Sequence, residues 1–205
     1  MEMVSKTEGG RVPPQPKRVK GAEGSAAPAL ARTGQATLFC LDGSQQSMEA
    51  LKWGASTLKP IGKAEVVMVV PERSPGSLMM DEPYAWGSDV QEAEALHAED
   101  EKKATARIQQ GFDELENKGV PRMDMHGSIL WQTGSLPGAI GERVADYADE
   151  MGADVVVVGS RGLGAVRRGI GSLVGMGSVS DSIAHKCRVP VLVVNRKDSG
   201  DQKTA

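Results

Sequence analysis

A glycine-rich stretch is the feature of this sequence that most clearly indicates a binding site. Seven glycines fall between Gly159 and Gly177, within GSRGLGAVRRGIGSLVGMGS. A valine-rich run at residues 154–158 precedes them, and a helix-like segment at residues 178–187 follows. Because glycine has no Cβ and tolerates positive φ, such a loop lets backbone N–H groups approach a phosphate. The stretch predicts a phosphate-binding loop, and the alternative is a merely flexible crossover.

Asp42 is a second candidate for chemistry, because it ends the first predicted strand and is followed by Gly43 and Ser44. In open α/β sheets, ligands bind beyond the carboxyl ends of strands, where the strand order reverses. If the strand ending at Asp42 neighbours the strand ending at Gly159, a carboxylate and a phosphate loop face one crevice. Asp42 would then take a ribose hydroxyl or Mg²⁺. The alternative is an ordinary turn and helix start.

Backbone amides are the predicted phosphate ligands, supplied by Gly159, Gly162 and Gly177. Ser178 would add a hydroxyl and the positive end of a helix. Ser178 and Asp181 also have the spacing of a capping box, which would use the same amides without any ligand. Both interpretations stay open at this point.

Arginines in the same loop, Arg161, Arg167 and Arg168, would clamp phosphate oxygens or form a solvated face. No Gly-Lys-Ser/Thr closes the loop as in a Walker A motif, and no Gly-x-Ser-x-Gly nucleophile elbow is present. A Rossmann fingerprint is excluded because the glycines follow the fourth predicted strand rather than the first.

Histidines offer no metal site, because His126 and His185 have no partner at metal-ligand spacing. His97 lies in a charged helix and is expected to be exposed to solvent. The two cysteines, Cys40 and Cys187, lie far apart in apolar contexts without redox or metal spacing. They are interpreted as free thiols in a reducing compartment, which favours a cytoplasmic location.

Strand and helix patterns alternate along the chain. Five short apolar runs predict strands, at residues 36–41, 64–70, 123–130, 154–158 and 189–194. Helices are predicted to start at Ser44 and to cover residues 90–118, 136–151 and 178–187. The inner face of the second helix is predicted to carry Ala95, Ala104, Ile108, Phe112 and Leu115. This alternation, with its valine runs, predicts an α/β fold with a single doubly wound parallel five-stranded sheet and helices on both faces.

Composition suits one globular domain with tails. The 205 residues are 40% hydrophobic and 25% charged, and no apolar run reaches the length of a membrane-spanning helix. The net charge of −3 gives no support to nucleic-acid or anionic-membrane binding. Residues 1–35 are rich in proline and small residues and predict a disordered tail, with a transit peptide as the alternative. Residues 36–196 form the predicted domain, and residues 197–205 a second disordered tail.

Several segments together resemble the universal stress protein family: LFCLDGSQQSMEALKWG, VVMVVPE, GADVVVVGSRGLG, GSVSDSIAH and CRVPVLVV. The resemblance covers residues 36–196, is closest to plant-type and algal members, and implies a fold like that of the adenine nucleotide alpha hydrolases. The family's nucleotide-binding branch carries Gly-x2-Gly-x9-Gly-Ser/Thr. Here Gly159 and Gly162 keep the first spacing, but fourteen residues separate Gly162 from Gly177-Ser178. The loop is therefore interpreted as carrying a five-residue insertion around residues 170–174.

The resemblance implies binding of ATP with Mg²⁺, with AMP as a second nucleotide, in a stress-response regulator. It implies that Asp42 contacts ribose and metal and that the backbone near Val69 meets adenine. The residues that it places at the nucleotide are Asp42, Val69, Gly159, Arg161, Gly162, Gly177, Ser178 and Val179.

The resemblance also implies a homodimer formed through residues 189–194, an edge position that suits Pro190. Efficient catalysis is not expected, beyond slow ATP hydrolysis or autophosphorylation, because a loop that only cradles phosphate does not favour a transition state. The alternatives are a dimeric interaction module of the same fold that binds no nucleotide, and an ATP-using transferase.

Overall fold

The computed structural model describes residues 16–19, 34–72, 89–132, 136–160 and 177–195. Its strands are β1 Lys17–Val19, β2 Gln35–Leu41, β3 Ile61–Pro71, β4 Met125–Gln132, β5 Val155–Gly159 and β6 Val191–Val194. Its helices are α1 Gln45–Thr57, α2 Asp89–Asn117, α3 Pro137–Met151 and α4 Ser178–Lys186, with a 3-10 turn at Arg122–Asp124.

The strands form one sheet in the order β1-β4-β3-β2-β5-β6. β2 to β6 are parallel to their neighbours, whereas β1 runs antiparallel to β4. The predicted α/β fold with a mainly parallel sheet is confirmed, but the predicted number of five strands is wrong. The sixth strand, β1, falls within the segment that the sequence predicts to be a disordered tail.

Helices cover both faces of the sheet, as predicted. On one face, α1 and α2 bury a core that includes Phe39, Leu51, Ile108 and Phe112. On the other face, α3 and α4 bury a second core that includes Leu38, Val67, Val144, Val156 and Ile183. β5 is buried along its whole length, which explains its unbroken run of valines.

Local signals set the ends of α1 and α3 as the sequence predicts. The Ser44 hydroxyl accepts a 3.1 Å hydrogen bond from the amide of Ser47, which makes Ser44 the N-cap of α1. α3 begins at Pro137 and ends at Met151, and its C-cap is Gly152, whose φ of 64° is in the left-handed region that favours glycine.

α2 packs closely on β4. The prediction of its inner face is wrong at one position. Ala95 is exposed, and Ala93 is buried instead, with 2% of its surface accessible. Gly127 of β4 allows the close approach of α2, since a Cβ there would lie 2.5 Å from the Ile108 side chain and 2.8 Å from Phe112.

None of the helices in the described part of the chain has the length and apolar character that a membrane span requires.

Candidate functional site

The strand order reverses between β2 and β5. From β2 the chain proceeds through β3 to β4 on one side, whereas β5 and β6 lie on the other side. Cys40 of β2 is paired with Val158 of β5, so Asp42 and Gly159 follow at the same edge of the sheet. The reversal of strand order therefore brings the ends of these two strands together, at the kind of position where open α/β sheets bind ligands.

Gly159 separates the first turns of two helices. A Cβ on Gly159 would lie 3.2 Å from the Gln46 carbonyl oxygen and 3.2 Å from the Ser47 amide nitrogen of α1. On the side of α4, the buried Ser180 hydroxyl donates a 2.6 Å hydrogen bond to the Gly159 carbonyl. The N-termini of α1 and α4 therefore both contact the last residue of β5, and each carries a partial positive charge.

Ser160 fixes the start of α4 and also contacts the edge strand. Its carbonyl accepts a 2.6 Å hydrogen bond from the amide of Gly177, and its own amide donates to the Val194 carbonyl at 2.9 Å. Gly177 is the N-cap of α4, so Ser178 is the first helical residue rather than the cap. The alternative interpretation of Ser178 and Asp181 as a capping box is therefore wrong. Because Gly177 has no side chain, it offers no oxygen to the amides of the first turn.

Asp42 organises the turn between β2 and α1. Its Oδ1 accepts hydrogen bonds from the Ser44 amide at 3.0 Å and from the Ser44 hydroxyl at 2.6 Å. Gly43, with φ of 83°, allows the chain to bend between them. Oδ1 of Asp42 thus takes part in an ordinary turn, which was the alternative interpretation of this residue. The side chain is half-buried and lies at the carboxyl edge, beside the end of β5.

Val69 lies where β3 extends past β2. β3 pairs with β2 as far as Met68 but with β4 as far as Pro71. The three residues from Val69 to Pro71 reach about 10 Å further, at roughly 3.3 Å per residue. Within the described ranges, no strand pairs with this part of β3 on the side of β2. Val69 therefore belongs to the part of β3 that continues beyond its last pair with β2.

Other predicted site residues lie outside the described residues. These are Arg161, Gly162, Arg167, Arg168 and the proposed insertion at residues 170–174. Val179 is half-buried and packs against the core under α4, and Ser178 is exposed. The segment from Glu72 to Asp89 is described only at its two end residues.

A buried polar cluster on the α3 side of the sheet was not predicted. The hydroxyls of Tyr147 and Ser128 donate to the same Glu65 carboxylate oxygen at 2.8 Å and 3.0 Å, and they lie 2.7 Å from each other. Glu65 is 1% exposed and Ser128 is 0% exposed. Burial raises the pKa of Tyr147 above its ordinary value, and the Glu65 charge also contributes. The available signal was Glu65 itself, an acidic residue within the apolar run AEVVMVV.

His126 lies beside this cluster, as the Cα partner of Glu65 on the neighbouring strand. Burial lowers the pKa of His126, Glu65 opposes that effect, and the charges of Lys63 and Arg18 lower the pKa further. Among the described residues there is no group of three or more His, Cys, Asp or Glu side chains that could hold a metal ion.

His97 was predicted to be exposed, and this prediction is wrong. The ring of His97 is half-buried and stacks on the buried Trp131 ring, with 3.8 Å between centroids and an interplanar angle of 16°. The contact joins α2 to the carboxyl end of β4.

The two cysteines are free thiols, as predicted. Burial raises the pKa of both thiols, in the case of Cys187 to about 11 with a further contribution from Asp149. Both thiols are therefore protonated at neutral pH and are weak nucleophiles.

A cleft of about 260 Å³ lies between α1 and the edge strand β6. Its lining residues are Trp53, Leu192, Val193, Val194 and Asn195. None of them belongs to the predicted nucleotide site, although Val194 is bonded to Ser160.

Comparison with known sequences gives one family match. Residues 127–195 match the Universal stress protein family. This segment extends from β4 to the end of β6 and includes Gly159 and Gly177, whereas Asp42 and Val69 precede it. Among curated proteins, none matches the sequence.

Solved structures share the fold. Hypothetical protein MJ0577 superposes with a TM-score of 0.59 at 23% identity, covering 80% of this chain and 98% of that chain. Universal stress protein UspA from Lactobacillus plantarum superposes with a TM-score of 0.57 at 14% identity, covering 78% and 97%. A universal stress protein in complex with cAMP has a TM-score of 0.45 at 20% identity, covering 79% and 97%. That last likeness is too low to indicate a ligand for this chain, whereas the first two establish the α/β fold.

Proposed function

We propose that this chain is a universal stress protein that binds an adenine nucleotide, ATP with Mg²⁺, and acts as a nucleotide-dependent regulator of the stress response. The nucleotide would bind at the carboxyl edge of the sheet, between β2 and β5. The observation that carries the proposal is the meeting of two helix N-termini at Gly159. The family match over residues 127–195 supports it. The plant-type character and the five-residue loop insertion belong to the same proposal.

The phosphate part of the proposal depends on α4. A helix N-terminus presents several N–H groups and a partial positive charge, which favours a phosphate. Gly177 precedes the helix without a capping side chain, and its own amide is held by Ser160. The amides of Ser178 and Val179 are therefore suited to an anion at the end of β5. Arg161 and Gly162 would complete this phosphate contact from the loop.

The ribose and metal part depends on Asp42. Mg²⁺ is commonly held by one or two carboxylates together with substrate phosphates, so a single aspartate near a phosphate site fits its chemistry. When bound, the ion would neutralise phosphate charge. Oδ1 of Asp42 is already held by Ser44, which fixes the orientation of the carboxylate towards any ligand.

Adenine would lie against the extension of β3. The backbone from Val69 to Pro71 continues past the last pair with β2 and offers polar groups beside an apolar side chain. A flat, partly apolar base with polar edges fits such a wall.

A homodimer through residues 189–194 is part of the proposal. β6 ends the strand order at one side of the sheet, and its four apolar residues are all only half-buried. An exposed apolar edge strand is a template for pairing with a second copy. Sedimentation at increasing concentration should show a dimer, and Val193→Lys should weaken it. A wild type that sediments as a monomer throughout would refute this part alone.

Isothermal titration with ATP, AMP and cyclic AMP, with and without Mg²⁺, tests the nucleotide proposal. Saturable binding of ATP that strengthens with Mg²⁺ is expected. Gly162→Val should abolish it, whereas Gly138→Ala should not, since a Cβ at Gly138 would contact nothing within 4 Å. Absence of saturable heat for the wild type with all three nucleotides would favour the interaction module that binds no nucleotide.

A further inference from the structure

β1 covers β4 with a very short strand. Lys17, Arg18 and Val19 pair with Ile129, Ser128 and Gly127, whereas β4 itself extends over eight residues. A pairing of three residues supplies few backbone hydrogen bonds to offset the entropy lost in ordering the segment. Side-chain contacts must therefore contribute much of what holds β1 in place.

The first such contact is an ion pair. Nζ of Lys17 lies 2.6 Å and 2.7 Å from the two carboxylate oxygens of Glu101 on α2. The two residues are 84 positions apart in sequence, and the pair connects β1 to the helix that covers one face of the sheet. Lys17 is more than half exposed, which keeps the pair weak and sensitive to change.

The second contact is electrostatic and involves the buried cluster. Arg18 is the antiparallel partner of Ser128, and directly opposite residues direct their side chains to the same face of a sheet. That face is the one on which Ser128 and Tyr147 bind Glu65. The charge of Arg18 acts on both Tyr147 and His126, which places this cation beside the cluster.

Val19 supplies the remaining contact, because it packs against the core formed with α2. The three side chains alternate between the faces of the sheet, with Lys17 and Val19 towards α2 and Arg18 towards α3. Each residue of β1 thus contacts a different part of the protein, and Lys17 and Arg18 do so through their positive charges.

We propose that Lys17–Val19 is a charge-held strap that closes the β4 edge reversibly. Opening of the strap exposes the backbone N–H and C=O groups of Gly127–Ile129, which form a template for another strand. It also removes the only cation that β1 brings to the Glu65 cluster. The strap opens locally, while the rest of the sheet stays folded.

Hydrogen exchange of the full-length protein, followed by NMR at single amides, tests the strap. Lys17→Glu replaces attraction to Glu101 with repulsion. The β4 amides that point to β1 should then exchange about tenfold faster. The amides of β5 should be unaffected, because opening is local. The double variant Lys17→Glu/Glu101→Lys restores opposite charges and should restore slow exchange at β4.

Lys103→Glu is the matched control, since it reverses a charge in a 2.6 Å pair with Glu99 within α2. It should leave exchange at the β4 edge unchanged. A second variant, Arg18→Gln, should speed the same amides and raise the pKa of His126, because the arginine charge lowers it. Unchanged β4 exchange in Lys17→Glu, failure of the double variant to restore it, or equal acceleration at β5 would each overturn the strap.

Discussion

Ser180 and Gly159 are joined by a 2.6 Å hydrogen bond from the serine hydroxyl to the glycine carbonyl. Because Ser180 is buried, with 4% of its surface accessible, water cannot readily replace this bond. It ties the first turn of α4 to the end of β5, and thereby sets where the amides of α4 lie relative to the crevice.

Ser180→Ala should therefore weaken nucleotide binding as well as the fold. Loss of one hydrogen bond costs about 1 kcal/mol, which corresponds to about a fivefold change in affinity if α4 shifts. Titration with ATP and thermal unfolding would measure both effects. Ser182→Ala, on the same helix but packed against Gly141 of α3, should leave affinity unchanged. Equal losses of affinity in the two variants would contradict the role of Ser180.

Asp42→Asn separates the observed turn contact of this side chain from its proposed contact with the ligand. The amide keeps an oxygen for Ser44 but loses the negative charge. The melting temperature should stay within about a degree or two of the wild type, because the substitution keeps the contact with Ser44. Affinity for ATP with Mg²⁺ should fall about tenfold, as for the loss of a charged contact.

Asp42→Ala provides the comparison, since it removes both roles. It should lower the affinity equally and also destabilise the protein by about 1 kcal/mol through the lost turn contact. If Asp42→Asn binds ATP with Mg²⁺ as tightly as the wild type, Asp42 does not contact the ion or ribose.

Tyr147→Phe should destabilise the fold through the buried cluster. The change removes a 2.8 Å hydrogen bond to Glu65 and leaves the buried carboxylate with fewer donors. A buried polar group that loses its partner costs about 1–3 kcal/mol. Urea unfolding would measure this loss, and nucleotide affinity should not change. A difference below about 0.5 kcal/mol would show that the hydroxyl is not needed by Glu65.

His126 should make the protein less stable in acid. Since its pKa is lowered in the folded state, the unfolded chain binds the proton more tightly. Its contribution to stability is present above the ordinary pKa of about 6.5 and is lost as pH falls towards the lower, folded value. The groups that act on it are Glu65, Lys63, Arg18 and Asp124.

Unfolding free energies of His126→Gln and the wild type, measured between about pH 7 and pH 5, would test this effect, since the window spans the ordinary histidine pKa. The variant should show a shallower loss of stability on acidification. Parallel curves for the two proteins would rule out a contribution from His126.

Gly127→Ala should loosen the packing of α2 on the sheet. The new methyl group would overlap Ile108 and Phe112, at 2.5 Å and 2.8 Å, so the helix or its side chains must shift. Overpacking of this kind costs about 1–3 kcal/mol. Gly138→Ala, in open space near the start of α3, should be neutral or slightly stabilising. Thermal unfolding of the pair would show the difference.

The parallel strands and some helix ends could be predicted because their causes are local. Valine runs indicate strands buried on both faces, and Ser44 and Gly152 act within one helical turn. The neighbouring position of β2 and β5 was only a condition of the predicted site, and the structure shows that these strands are paired.

Features set by contacts between distant residues were missed. The sequence KRV of β1 has no pattern that predicts a strand, because its pairing depends on β4 and on Glu101. His97 resembles a solvated residue of a charged helix until β4 brings Trp131 against it. The polar contacts of Tyr147 could not be read from α3 alone, since Glu65 and Ser128 come from two other elements.

Ser160 has a consequence for communication within the molecule. One of its backbone groups holds Gly177 and the other holds Val194, so a single residue touches both the proposed ligand crevice and the outermost strand. If the crevice binds the proposed nucleotide and β6 pairs with a second copy as proposed, both events act on elements bonded to Ser160. A shift of Ser160 would then change the start of α4 and the end of β6 together, through two backbone hydrogen bonds.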